Sequence, residues 1–294
     1  MENLLLKIKK RLNRPLILDG AIGSLLIDGG IEEDKYLWSS LANLTKSEAV
    51  RKIHIDYALA GADIITTNTF RTNPSVVKLS GYGIDMNEFV NKSVRLATDL
   101  KDEFNILVAG SNAPAEDCYQ KERTIPLNEL EYNHKKHIEL LWESGVDFIL
   151  NETQSHCDEI ELIAEFCHSN RIPYVLSLYF LDNLTLLSGE PVTEAVEMIL
   201  QYSPMAVSFN CVPPSNFEKL ISSIRLETEW GFYLNCGLSS PAEQVISCII
   251  SPDVYLSDIK KWLPYEPVFV GACCGSNPEH IKKIKEYFDE TNNS

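Results

Sequence analysis

Two adjacent cysteines, Cys273 and Cys274, follow the apolar run Val268-Phe269-Val270-Gly271-Ala272, and a third, Cys211, follows Val207-Ser208-Phe209-Asn210. Each run reads as a short buried strand that stops at sulfur. Three thiolates gathered by strand ends can hold one Zn²⁺ and leave its fourth position free. An open position separates a catalytic zinc from a structural one, which four protein ligands close. Neighbouring residues of a regular strand point to opposite faces, so both thiols of the pair reach one site only where the chain bends. Gly275, directly after the pair, permits that bend. The competing reading of a vicinal pair is redox chemistry, as a strained disulfide or an exchange site. The two-residue spacing usual for exchange is absent, and so is finger-type pairing. Cys157, Cys167 and Cys248 fall in helical or loop stretches and read as small buried hydrophobes; Cys118, in an irregular stretch, stays open.

Eight short apolar or β-branched runs can carry such strand ends: 16–19, 63–67, 106–109, 147–150, 174–178, 206–209, 231–234 and 267–270. Their continuous hydrophobicity fits strands buried on both faces, as in parallel sheets. Between them lie stretches of helical period at 47–60, 87–104, 129–144, 158–169, 193–202, 217–227 and 256–263. A last helix opens with Ser276-Asn277-Pro278-Glu279, a cap followed by an early proline. Strand and helix alternating eight times predict a closed α/β architecture, a (β/α)₈ TIM-type barrel, as one domain over 1–294. The length, 294 residues of which 45% are apolar, suits one such domain.

Barrel chemistry sits at the C-terminal ends of the strands. Read there, the sequence supplies Asp19-Gly20, Thr67-Asn68-Thr69, Gly110-Ser111-Asn112, Asn151-Glu152-Thr153, Asn210-Cys211, Asn235-Cys236 and Cys273-Cys274. Polar side chains therefore gather at one rim. Glu152, at the mouth of a buried strand, is either an ion-pair partner or a substrate anchor. Asp19 before Gly20 can equally form a turn.

The formal net charge of −16 argues against nucleic acid and anionic membranes as partners. No run approaches the 18 apolar residues of a membrane helix. A basic stretch at 7–14 precedes an apolar one at 16–30, but Asp19 and Asp28 interrupt it and no convincing cleavage site follows. Eight cysteines without an export signal are expected as reduced thiols, and the expected compartment is the cytoplasm.

Taken together, the residues resemble the homocysteine S-methyltransferases, zinc enzymes on a (β/α)₈ barrel. The likeness runs from Asp19-Gly20-Ala21-Ile22-Gly23 and Trp38-Ser39 through His54, Tyr57 and the stretch 60–70. It continues with Gly145-Val146-Asp147, Glu152-Thr153, Asn210-Cys211, Asn235 and Gly237, and ends at Gly271-Ala272-Cys273-Cys274-Gly275. It implies methyl transfer to the sulfur of homocysteine, giving methionine, with Zn²⁺ as cofactor and with homocysteine and the methyl donor as small-molecule partners. Cys211, Cys273 and Cys274 match the zinc ligands. Asn235 matches an asparagine that, in some members, fills the fourth position before substrate arrives. Glu152 matches the carboxylate that holds the homocysteine ammonium, with Thr153 beside it, and Asp19 and Gly20 match the turn lining the amino-acid pocket. Departures from the family pattern are Ala272 for a glycine, the bulk of Ser208-Phe209, and Leu234 and Cys236 around Asn235, where Cys236 reads as packing.

The likeness also bears on the methyl donor. No folate or cobalamin module is expected. The betaine-using branch carries a tyrosine directly after the carboxylate that Glu152 matches, whereas Thr153 stands here, as in the branch using S-methylmethionine or S-adenosylmethionine. A sulfonium donor is the expectation. The alternatives are betaine, a methyl-corrinoid partner protein, selenocysteine or another small thiol as acceptor, and a non-catalytic zinc- or redox-responsive protein.

Overall fold

A computed structural model describes residues 3–236 and 250–292. Cys248 and Gly237 lie outside the described residues. Eight parallel strands run β1 (Leu16–Ile17), β2 (Ile64–Thr66), β3 (Leu107–Asn112), β4 (Phe148–Gln154), β5 (Tyr174–Leu178), β6 (Ala206–Asn210), β7 (Trp230–Leu234) and β8 (Phe269–Ala272). They are ordered β1-β8-β7-β6-β5-β4-β3-β2. The two ends of that order meet: Asp63 N donates to Ile17 O (2.7 Å) and Asp19 N to Ile64 O (3.0 Å), which closes the barrel. The strands are almost wholly buried, as their unbroken hydrophobicity requires.

The main outer helices are Ser47–Leu59, Met86–Thr98, Leu127–Glu143, Cys157–Ser169, Val192–Leu200, Pro214–Ser223, Pro252–Trp262 and Pro278–Asn292. The stretch predicted as one helix over 87–104 is two, Met86–Thr98 and Lys101–Phe104. The break lets Leu100 enter the core while Lys101 Nζ reaches Asp147 Oδ1 at 2.7 Å. The helix expected at 256–263 starts earlier, because Ser251 caps it and Pro252 opens it. Short helices at Leu4–Leu12, Gly23–Asp28, Ala42–Thr45 and Pro74–Ser80 carry too few periodic positions to stand out in the sequence.

At the floor of the barrel, acids that precede strands hold the neighbouring strand. Asp63 Oδ2 accepts Ile17 N (2.8 Å) and the Arg14 guanidinium (2.6 Å), and Asp147 Oδ2 accepts Val108 N (2.7 Å). His54, from the family-like stretch, is a buried core residue that burial keeps neutral, its pKa lowered to about 4. No helix among the described residues is long and apolar enough to cross a membrane.

Candidate metal centre

β8 ends at Ala272, and the chain turns at once: Ser276 N donates to Cys273 O (3.1 Å) and Gly275 has φ 80°. That left-handed glycine provides the bend that two adjacent thiols need to face one site. The Cys273 and Cys274 sulfurs are 3.9 Å apart. Cys211, one residue past β6, itself adopts φ 55°, a conformation that a non-glycine residue rarely takes. The bend aims its sulfur at the pair. All three sulfurs lie within 4.8 Å of one another.

Tetrahedral zinc with bonds of 2.3 Å separates its sulfur ligands by about 3.8 Å, so the spacing fits such an ion with little adjustment. Three soft thiolates also suit it chemically. Asn235, just beyond β7, donates from Nδ2 to Cys211 O (3.0 Å). Its Oδ1 is buried and, among the described residues, has no hydrogen-bond partner. A buried amide oxygen without a donor costs free energy and is the kind of atom a cation satisfies. Hydrogen bonds from Cys211 and Cys273 hold Cys274 well below the ordinary thiol range, and the bonds Cys273 shares with Cys211 and Cys274 push it well above.

The neighbouring strand ends hold the cluster in place. Asn210 Nδ2 donates to Cys211 Sγ (3.3 Å) and Thr153 Oγ1 (2.8 Å), while its Oδ1 accepts Thr153 N (2.9 Å) and Ser177 Oγ (2.7 Å). Every polar atom of that side chain is thereby engaged. Thr153 has φ 60° and lies where the register of β4 against β5 slips between Asn151 and Gln154. A bulge of this kind re-aims side chains beside active sites. It sets Thr153 Oγ1 3.9 Å from Cys211 Sγ and turns Glu152 into the mouth.

Glu152 is half-buried, its Oε1 accepting from Ser111 Oγ and its Oε2 from Tyr233 OH (3.4 Å). Burial raises its carboxyl to about 7, opposed by the Ser111 hydrogen bond and reinforced by the nearby Cys274 charge. Asp19 is buried under Thr66, accepting from Thr66 N (2.8 Å) and Oγ1 (2.9 Å). Burial pushes its carboxyl well up despite those bonds, and Glu152 adds to the shift. Gly20 follows in a turn where any Cβ would meet Ser276 Oγ at 2.4 Å and Tyr57 OH at 2.7 Å.

Cys211, Cys273, Cys274, Asn235, Thr153, Glu152, Asp19 and Gly20 thus converge at one rim. Cys157 and Cys167 lie on the outer helix Cys157–Ser169, and Cys236 is buried but stands outside the trio. Cys118, left open by the sequence, is buried close enough to Cys274 to sense its charge. Sequence reasoning passed over Ser111 and Tyr233 as partners of Glu152. Ser111 carried a signal, since it stands at a strand end; which atom it would meet is long-range information.

The sequence matches the family described as homocysteine S-methyltransferase over residues 16–288. Homocysteine S-methyltransferase 3 of Zea mays is 28% identical over 303 residues, spanning 92% of this chain and 88% of that protein. Selenocysteine Se-methyltransferase of Brassica oleracea var. italica is 27% identical, spanning 91% and 87%. The crystal structure of the homocysteine methyltransferase MmuM from Escherichia coli, metallated form, superposes with a TM-score of 0.78 at 24% identity, over 95% of this chain and 99% of that one. At that identity the likeness concerns the fold. The sequence match, by contrast, runs from β1 into the last helix and takes in every residue of the rim, and on it the chain belongs to the homocysteine S-methyltransferase family.

Proposed function

We propose that the protein moves a methyl group from a sulfonium donor, S-methylmethionine or S-adenosylmethionine, to the thiolate of homocysteine, forming methionine, with Zn²⁺ held by Cys211, Cys273 and Cys274. The observation that carries this reading is the meeting of three thiol sulfurs, an unpartnered amide oxygen and a carboxylate at one barrel mouth. Relatives named for homocysteine and for selenocysteine support a small thiol or selenol amino acid as acceptor. Bound zinc supplies a thiol ligand with a lowered pKa, so the nucleophile is a thiolate at neutral pH.

The chain's own residues do the rest. Asn235, whose Oδ1 is buried and has no hydrogen-bond partner among the described residues, would serve as a further ligand to the ion when no acceptor is bound. Glu152, aimed by Ser111 and Tyr233, receives the acceptor's ammonium. Asp19 and Gly20 line the amino-acid pocket, and Thr153 with Asn210 fixes Cys211. The transfer balances without a proton. The acceptor sulfur's electron pair forms the new C–S bond, and the S–CH₃ bond of the sulfonium breaks with its pair going to the donor sulfur. The donor leaves as a neutral thioether; with S-methylmethionine, both products are methionine. Three thiolates outweigh one divalent ion, so the site stays negative and favours a cationic donor. Thr153 after Glu152, where the betaine-using pattern has tyrosine, supports the sulfonium choice.

The test is methionine formation from homocysteine with S-methylmethionine, S-adenosylmethionine or betaine, together with elemental analysis. Turnover with a sulfonium and about one zinc per chain is expected, with the metal lost in Cys211→Ser and Cys273→Ser. Turnover with betaine alone, or with no donor, overturns the donor assignment. A full equivalent of zinc in both variants overturns the ligand set.

A further inference from the structure

Beside the sulfur cluster stands an aromatic corner. Tyr119, from segment 113–125 between β3 and the helix Leu127–Glu143, meets Tyr179, the residue after β5, with ring centroids 5.0 Å apart and planes at 73°. Tyr179 is buried, whereas Tyr119 is half-buried. Both stand on the rim where the strands exit: Tyr179 leaves β5, the neighbour of β6 that carries Cys211 at its end, and Tyr119 lies on the segment that leaves β3.

The segment carrying Tyr119 is tied down from three directions. Ala115 N donates to Glu159 Oε1 (2.9 Å), Arg71 Nη1 to Glu116 O (2.7 Å), and His156 Nε2 to Lys121 O (3.0 Å). Glu159 is in turn bonded to the buried His134 through Nε2 (2.6 Å). Tyr119 N donates to Asp117 Oδ1 (2.9 Å), so the ring stands on a braced loop.

A sulfonium spreads its positive charge over the carbons around sulfur, including the methyl to be moved. The face of a tyrosine ring attracts such a cation, and its edge does not. In an edge-to-face pair, one ring braces the other and leaves a ring face free for a ligand. We propose that Tyr119, braced by Tyr179, is the aromatic face that receives the sulfonium group of the methyl donor and turns its methyl toward the sulfur cluster. This rests on the sulfonium reading above. It adds a reason for product release: transfer leaves a neutral thioether, which the ring face no longer holds as a cation.

The experiment compares KM for S-methylmethionine in the zinc-loaded protein and in Tyr119→Leu and Tyr119→Phe. Tyr119→Leu is expected to raise donor KM about 3- to 30-fold. Tyr119→Phe, which keeps the ring, should raise it far less. Homocysteine KM, zinc content and inhibition by methionine should stay within about twofold in Tyr119→Leu. An unchanged donor KM in Tyr119→Leu overturns the assignment, and so does an equal loss in Tyr119→Phe, which would place the effect in the hydroxyl. If Tyr119→Leu does not fold, phenylalanines of increasing fluorination at position 119 serve instead: donor KM must climb with each fluorine, and a flat series overturns the proposal. A wild-type protein that transfers methyl from no sulfonium overturns the function reading itself, whereas normal transfer with an unaltered Tyr119→Leu overturns only the aromatic site.

Discussion

Burial raises the Glu152 carboxyl to about 7, against the hydrogen bond from Ser111 and with the charge of Cys274. An unfolded glutamate ionises near pH 4.3. Between these values the folded chain binds more protons than the unfolded one, so this residue's contribution to stability is full below about pH 4 and falls as pH rises to about 7. Binding runs the other way, because only the ionised carboxylate attracts an ammonium. Glu152→Gln is therefore expected to raise homocysteine KM roughly 10- to 100-fold while leaving the zinc in place. The same variant should be more stable than wild type, by about 1–3 kcal/mol at pH 8 and by less at pH 5.5. Wild-type homocysteine KM should climb below about pH 7, and the variant's should not. Steady-state kinetics and thermal melts over this range test both arms. An unchanged homocysteine KM would remove Glu152 from the ammonium role.

At the scale of single elements, strand exits do the positioning, and their turns tolerate little. A Cβ at Gly20 would lie 2.4 Å from Ser276 Oγ and 2.7 Å from Tyr57 OH, and one at Gly271 would lie 2.7 Å from Leu18 Cβ. Ser276 Oγ also accepts Ala21 N (3.0 Å), so the exits of β1 and β8 are bolted together beneath the cysteine turn. Gly20→Ala is expected to cost about 1–3 kcal/mol in denaturant unfolding and to weaken both homocysteine binding and zinc retention. Wild-type values for all three would show that the turn has slack. These elements differed in how far they could be read from the sequence. The eight strands were legible because burial on both faces demands unbroken apolar runs. The three sulfurs were legible because each follows such a run, and Gly275 announced the bend between two of them. The β4 bulge at Thr153 was not, since a register slip depends on the partner strand. The break at Leu100 was hidden by a periodicity that both helices share, and Tyr119 lies in a segment with no period at all.

Across the whole molecule, the metal centre and the barrel floor restrain opposite ends of the barrel, on different strands. At the mouth, the proposed ligands leave β6 and β8 with Asn235 of β7 between them, so an ion there cross-links three adjacent strand ends. At the floor, Asp63 accepts Ile17 N and the Arg14 guanidinium where β1 and β2 close the barrel. A strand of about five residues separates such points by roughly 15 Å, beyond the range at which destabilising effects usually couple. Asp63→Ala strands a mostly buried Arg14 and should cost about 2–4 kcal/mol whether or not zinc is bound. Stripping the zinc should lower stability by about 3 kcal/mol relative to protein at a hundredfold excess of free metal over its Kd, and by about 5 °C or more in Tm. The two losses should add. Hydrogen exchange should then localise the metal's share: amides at the exits of β6, β7 and β8 open first in the stripped protein, while β2 to β4 keep their protection. Uniform loss of protection around the barrel, or stabilities that fail to add, would mean that the ion supports the closed barrel as a whole and not only the mouth where its sulfurs lie.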